Sequence, residues 1–179
     1  MSIWTSGAAA DQNPSMMSIY AEPGADGRPV LTDLKATGFA LVDRWDQNLG
    51  LEITRVVDAT RPQPFRGPIT AARIVIRCLA RTGSIPRSMR ASWLRIGSVD
   101  LLGVSGKLAT SIDAHLRARL AGRKLITLTL TNGYAGYLPD EASFARGRTF
   151  EVEHSSVAAG CAENAIVDAA AMLLPARLI

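Results

Sequence analysis

Histidine and cysteine are scarce in this 179-residue chain, which contains two of each. Two histidines cannot by themselves build a multi-histidine metal site, and they leave little material for histidine-based catalysis. Cys78 and Cys161 follow no CxxC or Cys/His ligand spacing. Cys78 lies in an apolar run, where a thiol usually packs as a small buried side chain, so no disulfide framework is implied.

Long apolar runs and clustered charges are also lacking. No stretch approaches the roughly 20 apolar residues that a membrane span needs, and the N-terminus lacks the features of a secretory signal. The 20 Lys and Arg residues exceed the 16 Asp and Glu residues but are scattered, whereas a nucleic-acid site needs them on one face. The sequence thus predicts a soluble protein with no nucleic-acid partner, and it leaves the compartment open.

The spacing of apolar residues predicts alternating helices and strands. Residues 1–5 alternate like a strand, and a polar loop follows from residue 13 to about 29. Helices are predicted at residues 32–57, with Thr32 or Asp33 as the N-cap, at 107–120 and at 161–174. Strands are predicted at 69–79, 92–96, 99–104 and 125–130, the second and third joined by a Gly97-Ser98 turn. This order predicts an α/β fold with mixed β-sheet layers and flanking helices.

The beginning of the chain predicts a partial domain. A strand that opens at the first residues has nothing before it, although domain termini are normally surface segments. We therefore expect residues 1–179 to be the later part of a larger domain. An incomplete sheet would expose strand edges and apolar faces, which predicts self-association.

Two loops contain side chains that could carry chemistry. Tyr134 and Tyr137 follow the last predicted strand, where α/β proteins often place ligand-facing groups, although aromatic loops are structural at least as often. Asp11 and Asn13 precede Pro14, and an Asx turn fully explains that pattern. Each loop taken alone is a weak signal.

The two histidines have simpler interpretations. His115 falls near the apolar stripe of its predicted helix, which favours a packed or surface histidine without a catalytic role. His154 lies beside Glu151 and Glu153 and could bind a metal, but a solvated strand end is favoured.

The order of several motifs is more specific than any one of them. The motifs are Gly7 to Pro14 (GAAADQNP), Leu94 to Gly97 leading to Gly103–Lys107 (GVSGK), Thr131 to Pro139 (TNGYAGYLP), and the terminal FEVE and GCAE segments at 150–153 and 160–163. In this order they resemble the neutral/alkaline non-lysosomal ceramidase family. The resemblance covers nearly all of the chain and corresponds to the C-terminal part of that family's catalytic domain, with the upstream part missing.

The resemblance implies a zinc amidase, in which a metal-activated water attacks the amide of a ceramide. Zinc is held there by two histidines, a glutamate and a tyrosine. The two histidines would lie upstream of residue 1, and His115 and His154 match neither. Tyr137 is the favoured match to the metal-binding tyrosine, with Tyr134 second.

Several positions depart from the family pattern. Lys107 stands where the family has its metal-binding glutamate, which reverses the charge. Asn13, in the motif with Asp11, stands at the position of the catalytic serine and cannot ionise like an activated hydroxyl. Phe150 replaces a later tyrosine. Near a metal, Lys107 would be expected either to extend into solvent or to pair with an anion such as Asp11.

Two functional hypotheses follow. The first is a partial ceramidase-like protein whose complete form is a zinc-dependent hydrolase of a lipid amide or another small molecule. The alternative is a divergent, non-catalytic binding or assembly domain, in which Lys107 replaces the positive charge of the metal. Under both hypotheses this chain alone should neither bind zinc tightly nor hydrolyse ceramide.

Overall fold

A computed structural model describes residues 5–12, 19–62, 64–65 and 67–174 of the chain. It divides the chain into two compact units, one of residues 1–12 and 65–179 and one of residues 13–64. The predicted strand at residues 1–5 falls outside the described residues except for Thr5. No helix among the described residues is long and apolar enough to cross a membrane.

The smaller unit contains a hairpin and a long helix. Strands β1 (Ile19–Pro23) and β2 (Pro29–Asp33) are antiparallel, a short 3-10 turn covers Lys35–Gly38, and helix α1 is Phe39–Ala59. The prediction that this helix starts at residue 32 is wrong, because Thr32 pairs with Tyr20 in the hairpin. The segment predicted as a loop supplies that partner strand.

The larger unit is built on a mixed four-stranded sheet, which confirms the predicted α/β fold. Its strands β3 (Ile69–Cys78), β4 (Arg87–Ile96), β5 (Val99–Val104) and β7 (Lys124–Leu128) lie in the order β3-β4-β5-β7. The first three are antiparallel, and β7 runs parallel to β5. The hairpin predicted at Gly97-Ser98 is confirmed, with Gly97 at a positive φ of 60°.

One face of this sheet is covered by helices α2 (Thr110–Arg119) and α5 (Cys161–Leu173). Every second strand residue points to these helices, as the two-residue period of a strand requires. The resulting core joins buried side chains of the sheet to those of the helices, namely Met89, Ala91, Leu102 and Val104 with Ile112, Leu116, Ile166 and Ala170. The helix predicted at residues 161–174 is confirmed.

Two element boundaries differ from the prediction for tertiary reasons. Residues Lys107–Leu108 are not a helix start but a short strand, β6, which pairs in parallel with β8 (Tyr137–Leu138). The strand predicted at 125–130 ends at Leu128, since Leu130 has a positive φ of 57°. Short helices α3 (Glu141–Arg146) and α4 (Phe150–Glu153) complete the unit.

Cys78 and Cys161 form a disulfide with a Cα–Cα distance of 5.7 Å, although their spacing in the sequence implied no disulfide framework. The two cysteines are 83 residues apart in sequence, and only the docking of α5 on the sheet brings them together. The bond joins the last residue of β3 to the first residue of α5.

Candidate functional site around Lys107 and Tyr137

The short β6–β8 pair brings together the two segments that carry the strongest motifs. Lys107 is the register partner of Tyr137, and its backbone N–H donates to the carbonyl of Gly136 at 2.9 Å. Gly106 permits this close approach, because an added Cβ would lie 2.5 Å from a methyl group of Leu138. Lys107 and Tyr137, the residues that the resemblance would match to a metal-binding glutamate and tyrosine, are therefore neighbours in this chain.

The Lys107 side chain binds Tyr137 directly. Its Nζ donates a hydrogen bond to the Tyr137 hydroxyl at 3.0 Å and lies 4.5 Å from the ring centroid. The hydrogen bond to Tyr137 raises the pKa of Lys107 above its usual value. Lys107 is therefore a charged donor at neutral pH. It takes neither of the two expected positions, in free solvent or against Asp11.

An aromatic stack lies beside this pair. The Phe150 ring packs edge-on against the Tyr137 ring, with 5.4 Å between the ring centroids. It also stacks on the His154 ring, with 4.0 Å between the centroids. His154 Nδ1 lies 2.8 Å from the Phe150 carbonyl oxygen. A carbonyl oxygen can only accept, so Nδ1 carries the hydrogen and Nε2 is an acceptor in the neutral ring.

The placement of His154 corrects the prediction of a strand end, because it follows helix α4. The sequence did contain a signal for its contact with Phe150. The two residues are four apart, which is the spacing of neighbours on a helix surface. That signal was missed because α4 is only four residues long.

A cleft of about 520 Å³ opens at this cluster. Strand β4 supplies Arg87 and Ser88, the loop before β8 supplies Tyr134, and Tyr137 and His154 complete the polar lining. An apolar wall comes from Pro86 and Ala135. Hydroxyl, guanidinium and imidazole groups around one cleft suit the polar end of a small molecule.

Arg87 is a lining residue that the sequence did not reveal. Nothing in the local sequence marks it as a site residue, because it reaches the cleft only through the packing of β4 against the tyrosine loop. No sequence signal could therefore have identified it.

Asp11 lies away from this chemistry, at the N-terminus of α2. Its carboxylate accepts from the Thr110 backbone N–H at 2.9 Å and from the Thr110 hydroxyl at 2.7 Å. Burial by itself raises the pKa of Asp11, but these hydrogen bonds outweigh it, so the pKa lies below its usual value. Asp11 therefore stabilises the helix start. Asn13 lies outside the described residues.

The remaining predicted residues have simple placements. Tyr134 lines the cleft but is 71% exposed. His115 is a surface residue of α2, and its Nδ1 lies 2.6 Å from a carboxylate oxygen of Glu163 on α5. Within the described part of the chain, no three His, Cys, Asp or Glu side chains are grouped as metal ligands would be.

The groups around Tyr137 differ from those that a zinc ion would need. A zinc ion there would need the tyrosine oxygen, which accepts the Lys107 hydrogen bond, and a carboxylate in place of the ammonium. The residues of this chain therefore do not fit the metal that the resemblance implies. Comparison of the chain with protein-family models, curated proteins and solved structures finds no match.

Proposed function

We propose that this chain is a ceramidase-like domain that binds a small molecule without cleaving it, and that Lys107 supplies the positive charge a metal would otherwise provide. The observation that carries the proposal is the 3.0 Å hydrogen bond from Lys107 Nζ to the Tyr137 hydroxyl. An ammonium group and a divalent ion repel each other at such a distance, so one excludes the other.

The cleft beside this pair would receive the ligand. Arg87 and the two tyrosine hydroxyls offer donors to a carbonyl or an anionic group, while Pro86 and Ala135 offer apolar contact. A lipid amide or another small molecule with a polar head group fits this combination.

The second candidate function is zinc-dependent amide hydrolysis by a complete ceramidase-like domain. It is supported by the register of β6 and β8, which sets the family's glutamate and tyrosine positions side by side. In that case the two histidines would come from sequence upstream of residue 1.

Zinc titration of Lys107 variants tests the proposal. By calorimetry, we expect no tight zinc binding by the unmodified chain and a higher but still weak affinity for Lys107→Glu, which restores a carboxylate next to Tyr137 but not the two histidines. Lys107→Met is the matched control, because it removes the charge without adding a ligand. Tyr137→Phe in the Lys107→Glu background should abolish the gain.

Two results would contradict the proposal. Equal zinc affinities for the unmodified chain and the Lys107→Glu variant would remove Lys107 from the site. Stoichiometric, chelator-sensitive zinc in the unmodified chain, together with ceramide hydrolysis, would instead support the hydrolase.

A further inference from the structure

Within the larger unit, the face of the four-stranded sheet opposite α2 and α5 is exposed and largely apolar. Ile69 of β3 is 66% exposed, Val75 is 57% exposed, and Ile126 of β7 is 46% exposed. Leu94 and Leu101 lie between them on the same face and are only half-buried. Sheets that are apolar on both faces normally have both faces covered.

The strand register places an apolar row next to rows that contain arginine on this face. One cross-strand row reads Ala71, Leu94, Leu101 and Ile126. The next row reads Arg73, Ser92, Gly103 and Leu128, and after it Val75 stands opposite Arg90. The strand residues on this face include no carboxylate. They include four cationic residues, namely Arg73, Arg77, Arg90 and Lys124.

A groove of about 530 Å³ lies where the apolar and basic rows meet. Leu94, Leu101 and Leu128 form its apolar lining, and Arg73 and Ser92 stand at its polar end. The groove lies on the face of the sheet, and its end at Gly103 and Leu128 reaches the carboxyl ends of the parallel strands β5 and β7.

The loop after β7 closes the polar end of the groove and is held in place. The Thr131 side chain packs on Gly103, where an added Cβ would lie 2.6 Å from the Thr131 methyl group. The carbonyl of Asn132 accepts from Arg90 Nη1 at 3.1 Å, and Asn132 Nδ2 donates to the Ser92 hydroxyl at 3.5 Å. Hydroxyl groups and a fixed amide thus border the groove beside the guanidinium of Arg73.

We propose that this groove binds a monomeric anionic amphiphile with a single alkyl chain. The chain would lie over Leu94 and Leu101, and the anionic head would meet Arg73. Arg73 has no hydrogen-bond or ion-pair partner in the described part of the chain and is exposed on the edge strand β3. The basic residues of this face favour an anionic head group, because they would repel a cationic amphiphile or the same basic face of a second copy.

The groove is separate from the cleft beside Tyr137, because the two share no lining residue. The proposal therefore goes beyond the proposed function and does not depend on it. A failure of zinc binding in the Lys107 variants would leave the groove unaffected.

Calorimetric titration with dodecanoate below its micelle concentration tests the proposal. We expect saturable binding of one dodecanoate per chain, and much weaker binding of butyrate and of dodecyltrimethylammonium. Arg73→Glu should weaken dodecanoate binding on the order of tenfold or more. Arg119→Glu is the matched control, because it makes the same charge change on the exposed surface of α2, on the other side of the sheet, and should leave affinity unchanged.

A second variant separates the alkyl contact from the charge contact. Leu101→Ala should weaken dodecanoate binding without changing the weak binding of butyrate.

Equal losses in the Arg73 and Arg119 variants, or no saturable dodecanoate binding, would overturn the proposal. A dimer that Leu101→Lys dissociates would also overturn it, because a second copy would then cover the face. Binding to anionic vesicles alone would assign the face to a membrane surface and overturn it as well.

Discussion

At the scale of single residues, the buried carboxylate of Asp100 joins several parts of the core. It is 2% exposed and accepts hydrogen bonds from Trp93 Nε1 at 2.8 Å, Arg95 Nε at 2.8 Å and Arg123 Nη1 at 3.1 Å. Arg123 also donates to the carbonyl of Leu174 at 3.2 Å. One carboxylate thus links β4, β5, the start of β7 and the end of α5.

We expect Asp100→Asn to lower the free energy of unfolding by about 3 kcal/mol, because it removes the buried carboxylate charge that pairs with the guanidinium groups of Arg95 and Arg123. Urea denaturation measures this loss. Glu52→Gln is the control, since Glu52 pairs with Arg55 on an exposed helix surface, where an ion pair contributes little. A loss as small as that of the control would show that the Asp100 network contributes little.

The same carboxylate predicts a pH dependence. Burial alone would raise the pKa of Asp100, but the hydrogen bonds from Arg95, Trp93 and Arg123 outweigh it and lower the pKa. Its contribution is therefore fully present above the unfolded-state pKa of about 3.9 and is lost as pH falls through the lower folded-state pKa. The stability difference between the native chain and Asp100→Asn should shrink below about pH 4, and a constant difference would contradict this assignment.

At the scale of elements, the disulfide fixes the end of β3 to the start of α5. It joins residues 83 apart in sequence, and chain entropy predicts a stabilisation of about 4 kcal/mol. We expect a reductant to lower the midpoint of urea unfolding clearly. The double variant Cys78→Ala, Cys161→Ala should unfold at that lower midpoint with or without reductant. An unmodified chain that is insensitive to reductant would show that the bond is absent in solution.

At the scale of the whole molecule, the edge strand β3 favours the predicted self-association. It is ten residues long, and its exposed apolar side chains include Ile69 and Val75. We expect sedimentation velocity to show a mass that rises with protein concentration, through pairing at this strand edge. Val75→Lys should reduce the rise by placing a charge on the edge strand, whereas Met172→Lys on α5 should not. A monodisperse monomer at all concentrations would contradict the prediction.

Local pattern sufficed for some elements of the fold and not for others. Strand β5, the Gly97-Ser98 turn and helix α5 were predictable because their signals lie within a few consecutive residues. The start of α1 and the β6 strand were not, because Thr32 and Lys107 are drawn into strands by partners at Tyr20 and Tyr137. A disulfide between residues 83 apart has no local signal at all.

The candidate site shows the same division. The sequence by itself determined which chemical groups are available: a lysine at position 107, two tyrosines in a glycine-rich loop, and only two histidines. Only the tertiary structure decided that Lys107 bonds to Tyr137, that His154 stacks on Phe150, and that Arg87 joins them. The physical reason is that side-chain type is fixed residue by residue, whereas proximity depends on strand pairing and packing between segments far apart in the chain.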